Sequence, residues 1–172
     1  MILADWISEN TENTKVTVEF GSMFFDKLSH SQSLKKIGIE IHKPYIDRAK
    51  YFDCLKICGD FKNFEDYIAE SDMDVAMFID TLEHLNRSEA FELMSRVMQK
   101  FKKVILMIPE GLHEQHHDHF NLGADKHQTH RSTWFRDDVE ALGFSNIVVD
   151  PIFHRGSKSP GCIFAVWEKQ RA

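Results

Sequence analysis

No stretch of the 172 residues stays apolar long enough to cross a bilayer, which takes ~20 consecutive apolar residues, so no membrane partner is expected. The opening MILADWISEN lacks the basic start and sustained apolar run of a secretory signal, and a cytoplasmic location is the expectation. Positive charge is also short: a formal net charge of -6 argues against a protein that coats phosphate backbones, so nucleic acid is not an expected partner. Cysteine is scarce. Cys54, Cys58 and Cys162 cannot all pair and form no Cys-x-x-Cys unit, and they read as reduced, buried, structural residues. Repeats, low-complexity tracts and Pro/Gly/Ser-rich linkers are missing, which leaves residues 1–172 as one domain.

What is present is an alternation of two hydrophobic periods. Short apolar runs predict strands at Val16–Phe20, Lys36–Ile41, Cys54–Cys58, Met73–Ile79, Lys103–Ile108, Ser145–Val149 and Cys162–Trp167. Helical patterns fall between them. Pro44 suits a first turn followed by Tyr45, Ile46, Ala49 and Phe52, and Asp60–Glu70 places Phe61, Phe64, Tyr67 and Ile68 on one face. Asn86 and Glu89 open a helix to Phe101 with Phe91, Met94 and Met98 as core, and Ser132 or Thr133 opens another through Leu142 with Gly143 as its exit. Alternating strands and helices predict an α/β three-layer sandwich around a mostly parallel sheet. The last two strands, joined without a helical pattern, predict a hairpin and hence an antiparallel last strand.

Ligands of such sheets bind beyond the carboxyl ends of the strands, near the switch in strand order. The first strand ends in Glu19-Phe20-Gly21, an acid and a glycine, followed by Met23, Phe24 and Phe25 where a nucleotide loop would carry more glycine. The second ends in Glu40, at the spacing where a carboxylate meets ribose hydroxyls. Gly59-Asp60 follows the third strand, and DTLEHL, Asp80 to Leu85, follows the fourth. Each acid has a plainer reading as a helix cap or a partner for a nearby lysine. Their succession at consecutive strand ends is what draws attention.

In that order VTVEFGSM, IGIEIH, CGDF, DVAMFIDTLEHL, KKVILMIPEG and the terminal pair GFSNIVVD and GCIFAVWEK resemble the motifs of class I S-adenosylmethionine-dependent methyltransferases over nearly the whole chain. The resemblance implies seven strands in a Rossmann-like methyltransferase fold. It also implies S-adenosylmethionine as cofactor, contacted by Glu19, Gly21, Glu40, Asp60 and Asp80, and methyl transfer to a small-molecule acceptor. The chemistry fits, since a cationic cofactor without phosphates needs acids rather than lysines. In-line methyl transfer gains chiefly from positioning, with a base required only for a protonated nucleophile. His84, at a strand end and titratable near neutrality, is the candidate base. The departure from the family's pattern at Met23 and Phe25 keeps a second reading open, a non-catalytic methyltransferase-like binding protein.

Most of the histidine lies in one loop, PEGLHEQHHDHFNLGADKHQTHRSTW, Pro109 to Trp134. HEQHH, His113 to His117, fits the His-Glu-x-x-His pattern of zinc peptidases, but its neighbours are polar on every side, unlike the helix that motif requires. No metal ligands are assigned, although a looser site built from some of these histidines and Asp118 makes a His-site metal enzyme a third reading. A loop of this length is usually a binding loop or lid, and Gln115, Asn121, His130 and Trp134 are the expected lining of an acceptor pocket. Asn121 and Ser132 have the alternative of turn and cap work.

Overall fold

The apolar runs become the strands of one sheet in the computed structural model, which describes residues 2–51, 53–68, 73–151 and 161–170. The strands are β1 (Val16–Phe20), β2 (Lys35–Glu40), β3 (Leu55–Cys58), β4 (Met73–Ile79), β5 (Phe101–Glu110), β6 (Asn146–Asp150) and β7 (Gly161–Glu168). They are arranged in the order β3-β2-β1-β4-β5-β7-β6. β7 runs antiparallel to both β5 and β6, and the other pairs are parallel, as the terminal hairpin predicts. The order reverses between β1 and β4, so ligand space is expected beyond Phe20 and Ile79.

Side chains alternate across the sheet and are covered on both faces. Val18 and Phe20 of β1 belong to one core with Phe64, Trp134 and the buried side of α3 (Arg87–Lys100). There Phe20 stacks on Phe78 at 4.4 Å and meets Phe64 and Phe101 edge-on. The opposite face packs Val75, Met77 and Met107 under Trp6, Ile7, Phe25 and Leu28.

Several local expectations change. Leu3–Thr11 forms a helix, α1, that the sequence reading omits; Trp6 and Ile7 share its buried side, and the Trp6 ring meets Phe164 edge-on at 5.2 Å. The helix with Pro44 is α2 (Lys43–Arg48), and its expected Phe52 lies outside the described residues. The Asp60–Glu70 helix is instead a run of 3-10 turns, Phe61–Asp66, broken at Asn63, and Glu70 lies outside the described residues. In α3 the buried side is Ala90, Leu93, Met94 and Val97; Phe91 is exposed and Met98 only partly buried. The Glu89 carboxylate accepts the Asn86 backbone N–H at 3.1 Å, the reciprocal half of the expected capping box. One short helix lies within the histidine loop, α4 (Asp125–Gln128), and another follows it, α5 (Arg136–Ala141). Of the cysteines only Cys162 is buried. Cys58 is exposed because β3 is an edge strand, and Cys54 is half-buried beside it.

Candidate functional site

The turn after β1 carries the first part of the site. Gly21, Met23 and Phe25 all have positive φ, at 73°, 49° and 63°. Left-handed backbone comes freely to glycine and costs other L-residues roughly 1–2 kcal/mol each, so the turn keeps a glycine-loop path without two of its glycines. Pairing with β2 holds it in place, the Gly21 and Ser22 N–H groups donating to Ile39 O at 2.9 and 3.1 Å. Phe25 is fully buried, with its ring over Gly38, where a Cβ would lie 2.4 Å from two ring atoms. It therefore fills core below the sheet end. Met23 alone of the two replacements lines the open space in front. Gly21 is required on two counts, its φ and the 2.9 Å approach that a Cβ would make to Thr81 Cγ2.

Three buried glutamates differ in how they are satisfied. Glu40, 5% exposed, accepts Met23 N–H at 2.8 Å on Oε2 and His42 N–H at 2.7 Å on Oε1; burial still raises its carboxyl above the ordinary value. Glu19, 1% exposed, has one oxygen with no hydrogen-bond partner among the described residues. Burial pushes it up to about 8, against the opposing pull of Lys27 and of a hydrogen bond from Ser22. Glu83, 2% exposed, has no hydrogen-bond partner for either oxygen among the described residues, and burial, then the charge of Asp80, raises it well above the carboxylate range.

Two cavities open beyond the strand ends. The larger, about 810 Å³, is lined by Met23, Asp80, Glu83, His84, Gln115 and His130 among others; the smaller, about 240 Å³, by Ile41, Asp60, Lys62, His127 and Arg131. His84 lines both, and residues between Lys126 and Arg131 supply walls to each. Asp60 also caps the turn after it, accepting Lys62 N–H at 2.9 Å, and Asp80 sits at a left-handed φ of 49°.

The histidine loop is folded onto this end of the sheet. Asp118 is its hub, accepting the Tyr45 hydroxyl at 2.6 Å and the N–H groups of Phe120, Leu122 and Ala124 at 2.9, 2.6 and 3.3 Å. Burial alone would raise its carboxyl, but these donors outweigh it and hold Asp118 at about 2. Phe120 meets Phe24 edge-on at 4.8 Å, and His42 Nε2 contacts Leu122 O at 2.8 Å, so the loop is tied to both the first turn and α2. Farther on, Arg131 and Ser132 N–H donate to Glu83 O at 2.7 and 3.1 Å, bringing His130 beside His84 with ring centroids 4.8 Å apart. Burial holds both rings down at about 4, His130 further depressed by His84, so both are neutral near pH 7. One ligand atom from each of Glu83, His84 and His130 falls within 4.8 Å of the others, a grouping able to hold a metal ion.

No family model and no curated protein matches the sequence. Solved structures do match. The N-terminal domain of EvdMO1, solved with SAH bound, superposes with a TM-score of 0.68 at 16% identity, over 99% of this chain and 82% of that one. N-methyltransferase NodS from Bradyrhizobium japonicum WM9 gives 0.69 at 9% identity, over 98% and 94%. Small RNA methyltransferase HEN1 gives 0.63 at 14%, over 99% of this chain and 25% of that one. The chain has the class I methyltransferase fold.

Within the methyltransferase fold the predicted residues divide. Asp80, His84, Gln115 and His130 come together on the larger cavity, and Asp60 lies on the smaller. Glu19, Gly21 and Glu40 stand behind them, supporting the first turn. Trp134 lines neither of these two cavities. It is fully buried, pairs through its backbone with Glu110 and Gly111, and precedes α5 instead of lying in a helix. Asn121 is an exposed left-handed turn residue at φ 52°. HEQHH is not helical, so His113 and His117 do not share a helix face, and Asp118 is committed to holding the loop. His84, expected to titrate near neutrality, does not, because burial disfavours its charged form. Glu83, which also lines the larger cavity, is not among the expected site residues. Its one signal in the sequence is a carboxylate directly before a histidine at a strand end.

Proposed function

We propose that this protein transfers the methyl group of S-adenosylmethionine to a small-molecule acceptor. The first turn carries the reading: Gly21, Met23 and Phe25 keep the left-handed path of a glycine loop, and the bulk of Phe25 is turned into the core. The cofactor's fit is supported by Asp80 and Asp60, which line two cavities that share His84. When bound, S-adenosylmethionine supplies a methyl carbon already activated by a sulfonium.

Asp80 and Met23 are assigned to its amino-acid side, Asp60 and Glu40 to its nucleoside, and Glu19 and Gly21 to holding the turn. Glu40 has four lone-pair sites, of which Met23 and His42 take two, leaving acceptors for ribose hydroxyls. Gln115, His84 and His130 face the acceptor. The 810 Å³ cavity and the net charge of -6 favour a small molecule over a nucleic acid. Among the similar structures, EvdMO1 was solved in the presence of SAH and D-fucose, whereas HEN1 is named for small RNA.

Separate calorimetric titrations with S-adenosylmethionine and S-adenosylhomocysteine test the reading. Saturable heat with both, and a raised thermal midpoint, is the expected result; no heat and no shift with either overturns it. Binding of both without turnover on any acceptor favours the non-catalytic reading.

A further inference from the structure

We propose that Glu83, His84 and His130, with Asp80 beside them, form a binding site for one divalent first-row transition ion. Two ligands of one ion at ~2.1 Å can lie no more than about 4.2 Å apart. The Glu83 Oε1 to His130 Nε2 distance is already 4.0 Å, and the three-ligand spread of 4.8 Å closes with a small side-chain adjustment.

A second observation points to a ligand independently of this spacing. The Glu83 carboxylate is shut away from solvent, lines the larger cavity, and has no hydrogen-bond partner on either oxygen among the described residues. Buried carboxylates are ordinarily paired, hydrogen-bonded or bound to a metal. Here the one nitrogen within ion-pair range among the described residues is His130 Nε2, on a ring that is neutral unless protonated.

The histidines are presented as ligands are. His130 Nδ1 lies 2.6 Å from His113 O and His84 Nδ1 lies 3.3 Å from Thr129 O. A carbonyl only accepts, so each Nδ1 carries the proton and each Nε2 keeps its lone pair, the arrangement in which outer carbonyls orient metal-binding imidazoles. Two imidazoles and one carboxylate suit Mn, Fe, Co or Zn better than Ca or Mg. Three protein ligands facing an open cavity leave coordination positions for an oxygen of the acceptor.

The use of the ion rests on the methyl-transfer reading. A hydroxyl ligated to a divalent cation releases its proton more readily, here to solvent water. The oxygen left behind forms the O–C bond as the S–C bond breaks, giving the methyl ether and S-adenosylhomocysteine. That assigns activation of the acceptor to the ion and removes the need for His84 as a base.

The test is calorimetric titration of the chelator-stripped full chain with Mn²⁺ alone, and separately with Co²⁺ alone, without methyl donor. One ion per chain is expected. Glu83→Gln and His130→Gln are each expected to weaken it by more than about 100-fold, whereas the His116→Ala/His117→Ala double variant, altering exposed loop histidines, keeps it. Binding that survives Glu83→Gln, that disappears in the double variant, or that is never stoichiometric overturns the site. Should Glu83→Gln fail to fold, Mn²⁺ broadening of histidine ring resonances in the unaltered protein decides: broadening of His84 and His130 supports the site, and broadening confined to His116 and His117 overturns it. A stoichiometric ion without S-adenosylhomocysteine binding counts against the methyl-transfer reading alone; the converse counts against the metal site alone.

Discussion

Glu40 and Glu83 are both buried glutamates near the ends of strands that flank β1, and they have opposite surroundings. Glu40 accepts two backbone N–H groups, whereas neither oxygen of Glu83 finds a hydrogen-bond partner among the described residues. The first carboxylate is a structural clasp that fixes the turn after β1. The second stabilises nothing as it stands and has the character of a ligand in waiting. Burial alone therefore does not tell a supporting acid from a functional one; the donors around it do.

Glu19, intermediate between them, gives the largest expected effect. Its folded value of about 8 lies above the ordinary 4.5, so between those pH values the unfolded chain has lost a proton that the folded chain retains. The associated stability is fully present below pH 4.5 and is lost as pH rises to about 8, on the order of 5 kcal/mol at about 1.4 kcal/mol per unit. Denaturant titrations across this range should show the decline in the unaltered protein and a flatter profile for Glu19→Gln. Lys27, Asp26 and Glu40 are the charges that also act on this carboxyl.

Next in size is the direct contrast. Glu40→Ala strands the Met23 and His42 N–H groups and should lower unfolding free energy by roughly 3 kcal/mol, measured in urea. Glu83→Gln in the ion-free protein removes a buried carboxyl without breaking a hydrogen bond seen in the structure, and its midpoint should be unchanged or higher. Equal losses in both would erase the distinction. The smallest effect separates the two residues that replace glycine. Met23→Gly, on the exposed side of the turn, should be neutral or stabilising by about 0.5–1 kcal/mol as left-handed strain is relieved, less the glycine's extra chain entropy. A clear loss would mean that the Met23 side chain is needed for packing.

Much of the fold was legible because its strands are short Ile-, Val- and Phe-rich runs whose order is local information. The terminal hairpin could be read from the want of a helical pattern between Val149 and Cys162. Helix α1 was missed although Leu3, Trp6 and Ile7 have helical spacing, since its polar residues gave no cap; indeed Ile2, its N-cap, makes no side-chain bond there. The site was less legible. Glycine-like backbone at Met23 and Phe25 runs against their residue types, and only coordinates show Phe25 turned onto Gly38. The polar neighbours of Trp134 conceal a buried residue that bridges to Glu110 and Gly111. Glu83 gained its meaning from residues 129–132 returning over it, a contact between segments more than forty residues apart that no local pattern encodes.

The most direct test of the cofactor assignment is a backbone amide NMR titration with S-adenosylhomocysteine. The account predicts saturable shifts concentrated at Gly21 to Met23, Glu40 to His42, Asp60 and Asp80. Shifts confined to the far end of the sheet, or none at saturating ligand, would contradict it.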